Sequence, residues 1–222
     1  MAAQAATTEH LVIASGRYFV AKRILDVTLA LTLFAFLCPV MLVISALIAL
    51  DSPGPVLFRQ RRIGHSGKPF DMLKFRSMRR DADTSVHHLA IKRYMQGERL
   101  NTSRTTGSPY KLGDDPRITS VGKLIRKTSL DELPQLWNIL TGEMSLVGPR
   151  PPLPYEVEMY DARAMMRLEG KPGLTGHWQV YGRGRVTFDE MIEMDISYLN
   201  NRSIWYDIKL IALTAPAALR GG

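Results

Sequence analysis

Between Asp26 and Asp51 the chain runs for 24 residues without a charge, and only Thr28, Thr32, Pro39 and Ser45 interrupt the hydrophobic residues. As a straight helix, Val27–Leu50 would measure about 36 Å at 1.5 Å per residue, enough to cross a hydrocarbon core of about 30 Å. A run this long with no polar stripe is a poor core helix for a soluble protein. It is also about twice the length of a signal-peptide h-region, and the segment before it carries Glu9 and Asp26. The run therefore predicts insertion into a membrane.

Cys38–Pro39 stands at its centre. Proline removes a helix hydrogen bond and crowds the preceding turn, so a break is expected there. Each arm then reaches only about 18 Å, less than a crossing. Arg17, Lys22 and Arg23 lie before the run, and a dense basic stretch follows it. Positive charge on both flanks favours placing both in the cytoplasm, which a re-entrant segment satisfies and a single span does not. A proline-kinked crossing helix is the alternative.

The basic stretch is residues 59–80. Arg59, Arg61, Arg62, Lys68, Lys74, Arg76, Arg79 and Arg80 face only Asp71, so this stretch holds nearly all of the chain's net charge of +8. Such a density predicts a partner bearing phosphate: nucleic acid, anionic lipid or a phosphorylated substrate. At 222 residues, 45% hydrophobic and 23% charged, the chain is globular rather than disordered. The single cysteine, Cys38, excludes an intrachain disulfide and an all-cysteine metal cluster.

These features predict a helix-rich α+β protein. Residues 1–21 form a tail, 22–51 a re-entrant membrane helix broken at Pro39, and 52–222 a cytosolic catalytic domain. Pro53, Gly54 and Pro55 end the membrane helix, and Phe70, Leu73 and Phe75 indicate a short hairpin through 56–76. Residues 81–111 are polar and uninformative. Leu133, Leu136, Trp137 and Leu140 follow helical spacing, so 131–141 reads as an amphipathic helix stopped by Gly142. Pro149–Pro154 is a stiff connection. A helix over 155–168, a glycine-rich loop over 170–184 and helices over 188–199 and 203–219 complete the chain. Trp205 and Tyr206 would anchor the last helix at headgroup level, making it interfacial.

The densest polar constellation is Arg126-Lys127-Thr128-Ser129-Leu130-Asp131-Glu132. Ser129 and Glu132 have capping-box spacing, and Pro134 would equally set Asp131 at the N-cap. Capping explains two acids there. It does not explain Arg126, Lys127 or Arg150, the last held between Pro149 and Pro151 as a rigid bidentate phosphate ligand would be. A carboxylate among arginines is suited to act as nucleophile or metal ligand.

From Lys22 to Leu213 the chain resembles the bacterial polyprenyl-phosphate (undecaprenyl-phosphate) phosphoglycosyl transferases with a small monotopic catalytic domain. The resemblance is carried by Lys22-Arg23-Ile24-Leu25-Asp26, Arg62-Ile63-Gly64, Lys74-Phe75-Arg76-Ser77-Met78 and Asp115-Pro116-Arg117-Ile118-Thr119. It continues through Ser129-Leu130-Asp131-Glu132-Leu133-Pro134-Gln135, the 142–151 segment ending Gly148-Pro149-Arg150-Pro151, Pro172-Gly173-Leu174-Thr175-Gly176 and Gly182-Arg183. It implies that Asp131 attacks the β-phosphorus of a UDP-sugar, with Glu132 as its partner and Mg²⁺ at Asp131. It further implies that UMP leaves and that polyprenyl phosphate takes the phosphosugar from the aspartate. Arg126 and Arg150 would bind phosphate, with Lys74, Arg76, Arg117, Lys171 and Arg183 as further substrate contacts. Expected partners are a UDP-sugar, polyprenyl phosphate and the bilayer at the inner face of a bacterial membrane, not nucleic acid. Glucose or galactose is favoured over an amino sugar, and the pathway is surface-polysaccharide assembly.

Three positions depart from the family's pattern. Cys38 precedes Pro39 where serine is usual, Lys171 replaces an arginine and so lacks its planar fork, and Gly184 replaces an asparagine. Asp81-Ala82-Asp83 matches a metal-binding Asp-x-Asp motif, and His87-His88 suggests zinc, but solvated surface accounts for both. His177 and Trp178 are expected either to line a pocket or to pack. The rival function is a membrane-tethered binder of nucleic acid or anionic lipid using residues 59–80. Only Phe70 and Phe75 interleave that stretch, and it contains no nucleic-acid reader motif.

Overall fold

A computed structural model describes residues 15–79, 85–97, 115, 117–182 and 185–220. The expectations that fell on Asp81, Asp83, Arg183 and Gly184 lie outside the described residues.

The apolar run is the middle of one 36-residue helix, α1 (Gly16–Asp51), capped by Ser15 and helical through Pro39. Its N-terminal half is bolted to the globular body by polar groups. Lys22 Nζ donates to Asp207 at 2.9 Å, Arg23 donates to the carbonyls of Ile139 and Leu140, and Asp26 accepts from the Leu146 N–H at 3.0 Å. Its C-terminal half is held by packing: Ile44 and Ile48 are buried with Phe75 and Ile125. Between these anchors Leu31, Phe36, Leu42 and Val43 are exposed, Phe36 by 79%.

The expected hairpin is present. β1 (Leu57–Ile63) pairs antiparallel with β2 (Pro69–Phe75), joined by a tight turn at His65–Gly67. After α2 (Ser85–Met95) comes α3 (Ser120–Lys127), capped by the Thr119 side chain. The chain then passes a single 3-10 turn, Leu130–Glu132, into α4 (Gln135–Thr141). The amphipathic helix read over 131–141 is thus shorter, and its buried face is Leu136, Asn138 and Ile139, leaving Trp137 53% exposed. Gly142 ends it in the left-handed conformation, as expected.

Two expectations fail past this point. The glycine-rich 170–184 loop contains β4 (Gly173–Thr175), which pairs parallel with β3 (Ser145–Val147), and α7 (His177–Tyr181). The helix expected over 155–168 is instead α5 (Pro154–Val157), α6 (Ala162–Met165) and a 3-10 turn at Met166–Glu169. Asp161 caps a new start at Ala162 by accepting from the Ala164 N–H, which breaks the continuous helix. α8 (Phe188–Asn201), with a capping box at Thr187 and Glu190, and α9 (Ile204–Arg220) match expectation. The central core joins Phe70 and Met72 of β2, Leu136 and Ile139 of α4, Leu146 and Val147 of β3, and Leu199 and Leu210 of the last two helices. Trp178 packs with Met191, Ile192 and Ile196, and His177 lies edge-on to Tyr181 and Tyr206, so both belong to the packing of α7. Trp205 is 81% exposed, whereas Tyr206 turns inward onto the core.

Candidate active site

α3 ends at Thr128, and Ser129 follows with φ 57° and ψ 18°, a left-handed residue that reverses the chain. Ser129 makes no cap, and Asp131 and Glu132 occupy the 3-10 turn before α4, whose own N-terminus is at Pro134–Gln135. The Ser129 capping register expected from the sequence is not formed, because Ser129 is left-handed rather than in the extended conformation of an N-cap residue. The two acids therefore stand on a tight connection between the C-terminus of α3, carrying Arg126 and Lys127, and the start of α4.

Apolar and polar contacts both fix that turn. Leu130 and Leu133, on either side of the acids, pack into the cluster formed by Ile44 and Ile48 of α1 with Phe75 and Ile125. Lys74 on β2 reaches Glu132 Oε1 at 3.0 Å. Asn138, buried in α4, accepts from the Leu73 N–H at 3.0 Å and donates to the Asp71 carbonyl at 2.9 Å and to Glu143 at 2.8 Å. This clamp fixes β2 against α4 and so sets Lys74 opposite the acidic turn. Asn138 was not picked out from the sequence. Its one signal is a polar residue on the buried face of an amphipathic helix.

On the other side, the chain after β2 pairs with the entry to α3. Thr119 N–H donates to the Ser77 carbonyl, and Arg79 N–H to the Arg117 carbonyl. Arg117 grips Asp115 with two parallel hydrogen bonds, 2.8 and 2.6 Å. That grip, aided by the nearby positive charge of Arg126, holds the Asp115 carboxyl below its ordinary range. Asp115, Arg117, Arg126, Asp131, Glu132 and Lys74 thus form one connected region.

Other expected site residues lie elsewhere. Arg76 is buried and donates to the carbonyls of Ser52 (2.5 Å), Pro55 (2.6 Å) and Ile48 (3.3 Å), closing the C-terminus of α1. This engagement makes it a helix cap. Arg62 is likewise buried, on the Pro151 carbonyl at 2.9 Å. The stretch 59–80 is therefore not one solvated basic face, because two of its arginines hold the backbone, Lys74 pairs with Glu132 and Arg61 with Asp71. That dispersal weakens the nucleic-acid reading. Arg150 lies 3.7 Å from Glu156, and its carbonyl accepts from the fully buried Arg167, which also pairs with Asp195. Ile63 N–H donates to the Pro152 carbonyl, so the proline-rich run hangs from the far end of β1. Arg62 is in register with Phe70, four residues before Lys74, so the strand positions anchoring Arg150 and Lys74 are about 13 Å apart. Lys171 faces Lys22, Arg23 and Asp26 instead. Among the described residues no cluster of three histidine, cysteine or acidic side chains is arranged for a metal. Adjacent Asp131 and Glu132 suit Mg²⁺, which takes one or two carboxylates and completes its shell with water and substrate phosphate.

Residues 17–221 match the family described as Bacterial sugar transferase. The chain is 44% identical over 205 residues to the galactosyl transferase CpsE of Streptococcus agalactiae, covering 92% of this chain and 43% of that protein. It is 40% identical over 198 residues to the exopolysaccharide production protein ExoY of Sinorhizobium fredii, covering 89% of this chain and 85% of that one. It is also 40% identical over 208 residues to the UDP-glucose:undecaprenyl-phosphate glucose-1-phosphate transferase of Escherichia coli, covering 90% and 40%. The chain thus spans about two fifths of the Streptococcus and Escherichia relatives and most of the Sinorhizobium one.

Proposed function

The chain belongs to the bacterial sugar transferase family, and we propose that it moves a hexose 1-phosphate from a UDP-sugar onto undecaprenyl phosphate, the first step of exopolysaccharide assembly. The observation that carries this reading is the Asp131–Glu132 turn, fastened to the C-terminal half of α1 through Leu130 and Leu133 and flanked by Arg126 and Lys74. It joins an acid able to attack phosphorus, cations able to bind phosphate and a surface next to the apolar helix that would meet a lipid acceptor.

An Asp131 carboxylate oxygen attacks the β-phosphorus of the UDP-sugar. The bond from that phosphorus to the bridging oxygen breaks, and UMP departs with the oxygen. A phosphate oxygen of undecaprenyl phosphate then attacks the same phosphorus, forming the diphosphate and restoring the carboxylate. Splitting the transfer in this way replaces one difficult displacement by two easier ones. Arg126 stabilises charge as it moves onto the departing phosphate. Lys74 holds Glu132 beside the nucleophile. Mg²⁺ held by Asp131 and Glu132 would neutralise diphosphate charge when bound. Arg150, anchored at the other end of the hairpin, is spaced to take a more distant part of the nucleotide. The names of the relatives, one a galactosyl transferase and one a glucose-1-phosphate transferase, favour UDP-galactose or UDP-glucose.

α1 enters and leaves the membrane on one face, with the catalytic body in the cytoplasm at the inner membrane. Support comes from both halves of α1 packing on the same body, the N-terminal half near Asp207 and Leu146 and the C-terminal half on Phe75 and Ile125. The exposed stretch 31–43 between them extends about 20 Å, short of a bilayer core. Incubation of the purified chain with a panel of UDP-sugars and undecaprenyl phosphate should release UMP with UDP-glucose or UDP-galactose. No UMP from any sugar would overturn the assignment.

A further inference from the structure

A cavity of about 140 Å³ opens where the N-terminal half of α1 meets the Gly170–Lys171 turn and the junction of α8 and α9. It is roughly ten times the about 10–15 Å³ that a cavity needs to hold one water. Four cations line it, Lys22, Arg23, Lys171 and Arg202, against one acid, Asp26. Lys22 is neutralised by Asp207 behind it, and Asp26 accepts from the Leu146 amide. Arg23 is bound to neutral carbonyls, and Arg202 lies over the Phe19 ring at 5.2 Å. Lys171 makes no hydrogen bond or ion pair with any described residue. Its amine pKa is lowered, first by burial and then by the positive charge of Arg23. A half-buried ammonium among other cations is stabilised by an anion arriving from outside.

Phe19 of α1 lines the cavity and is 49% exposed. Outside it, Val20 and Ile24 on another face of α1 are each 63% exposed, and Trp205 at the start of α9 is 81% exposed. Cations in the cavity and exposed apolar side chains on the same two helices match the two parts of a phospholipid, and exposed tryptophan suits the headgroup layer.

We propose that this cavity binds the phosphodiester headgroup of an anionic phospholipid, seated in the headgroup layer beside α1. The proposal rests on the membrane-embedded reading of α1. A lipid phosphate is also present on the acceptor, but position argues against that source. Arg23 holds the carbonyls of Ile139 and Leu140 at the end of α4, whereas Asp131 precedes the start of that helix. The length of α4, about 10 Å, separates them. A phosphate at Lys171 is therefore out of reach of Asp131. The bound lipid instead fixes the angle at which α1 leaves the body.

The full-length chain, reconstituted in nanodiscs of phosphatidylcholine with a minor share of phosphatidylglycerol, tests this by native mass spectrometry of the lipids it retains. Wild type should keep one phosphatidylglycerol in preference to phosphatidylcholine. Lys171→Gln combined with Arg202→Gln should lower that retention roughly tenfold, as expected for losing charge-assisted contacts, and Lys171→Arg should preserve it. Equal retention by the double variant, or unselective retention by wild type, would overturn the proposal. In a parallel arm, nanodiscs carrying undecaprenyl phosphate replace phosphatidylglycerol. Stronger, Lys171-dependent retention of that lipid would assign the cavity to the acceptor and overturn it also. Should the double variant fail to fold, wild type against Lys171→Gln alone gives the same comparison. Failure of wild type to enter nanodiscs would overturn the membrane reading as well, whereas entry with unselective lipid retention overturns this proposal only.

Discussion

Lys74 Nζ stands 3.0 Å from Glu132 Oε1, joining the second strand of the hairpin to the turn that carries Asp131. Glu132 is partly exposed, so water screens the pair and it contributes at most about 1 kcal/mol to stability. Lys74→Met should therefore leave the melting temperature nearly unchanged while lowering the rate of UMP release by roughly tenfold or more. Loss of stability in proportion to activity would reduce the pair to a structural one.

Asn138 is a positioning residue for the same turn. Asn138→Ala leaves the Leu73 N–H and the Asp71 carbonyl without their buried partner, at about 1–3 kcal/mol for each such group. Chemical denaturation should show the loss. Asn138→Asp, which sets a buried carboxylate against the Glu143 carboxylate and the Asp71 carbonyl, should cost at least as much as alanine at neutral pH.

Gly148 lies where β3 and β4 pass closest. A Cβ there would sit 2.2 Å from the Lys171 carbonyl oxygen and 2.9 Å from the Gly173 nitrogen. Both are backbone atoms, so Gly148→Ala has to push the strands apart, at about 2–3 kcal/mol or more. A lowered midpoint in chemical denaturation would show it. An unchanged midpoint would mean the two strands are not held this closely.

The grip of Arg117 on Asp115 gives a pH dependence of definite sign. Because the native carboxyl titrates below its ordinary value, the stabilisation is complete above about pH 4 and is lost as pH falls through the lowered native value. Acid denaturation of wild type should include this loss, and Asp115→Asn should flatten it while costing stability at neutral pH. An acid branch unaltered by Asp115→Asn would remove the pair from the account.

How much of this was legible in the sequence depended on the range of the interactions involved. Phe70, Leu73 and Phe75 marked the hairpin, Gly142 marked the end of α4, and a helix was read over 188–199 where α8 lies. The Ser129–Glu132 spacing misled because capping grammar assumes an extended N-cap, and Ser129 adopts φ 57°. The β3–β4 pair was invisible because three residues carry no period, and its register depends on a contact across 28 residues. Arg62 and Arg76 looked like surface charge, since burial of an arginine on backbone carbonyls is set by tertiary packing. Asp131 stood out for its charged company, but its attachment to α1 through Leu130 and Leu133 needed the fold.

Topology has its own test. In a Cys38→Ala background, a cysteine introduced by Ala3→Cys should be labelled only by reagents that reach the cytoplasm. Labelling from the periplasm would establish a crossing helix. Pro39→Ala should raise the periplasmic fraction, because the helix regains the hydrogen bond that proline removes.

The most direct test of the central claim is the mass of the protein after exposure to UDP-sugar without acceptor. The account predicts one UMP released per active site and a hexose-phosphate adduct on the intact chain that maps to Asp131 and disappears on adding undecaprenyl phosphate. Asp131→Asn should fold normally, with no adduct and no turnover, because an amide is a poor nucleophile. Normal turnover by Asp131→Asn, or an adduct on another residue, would contradict it.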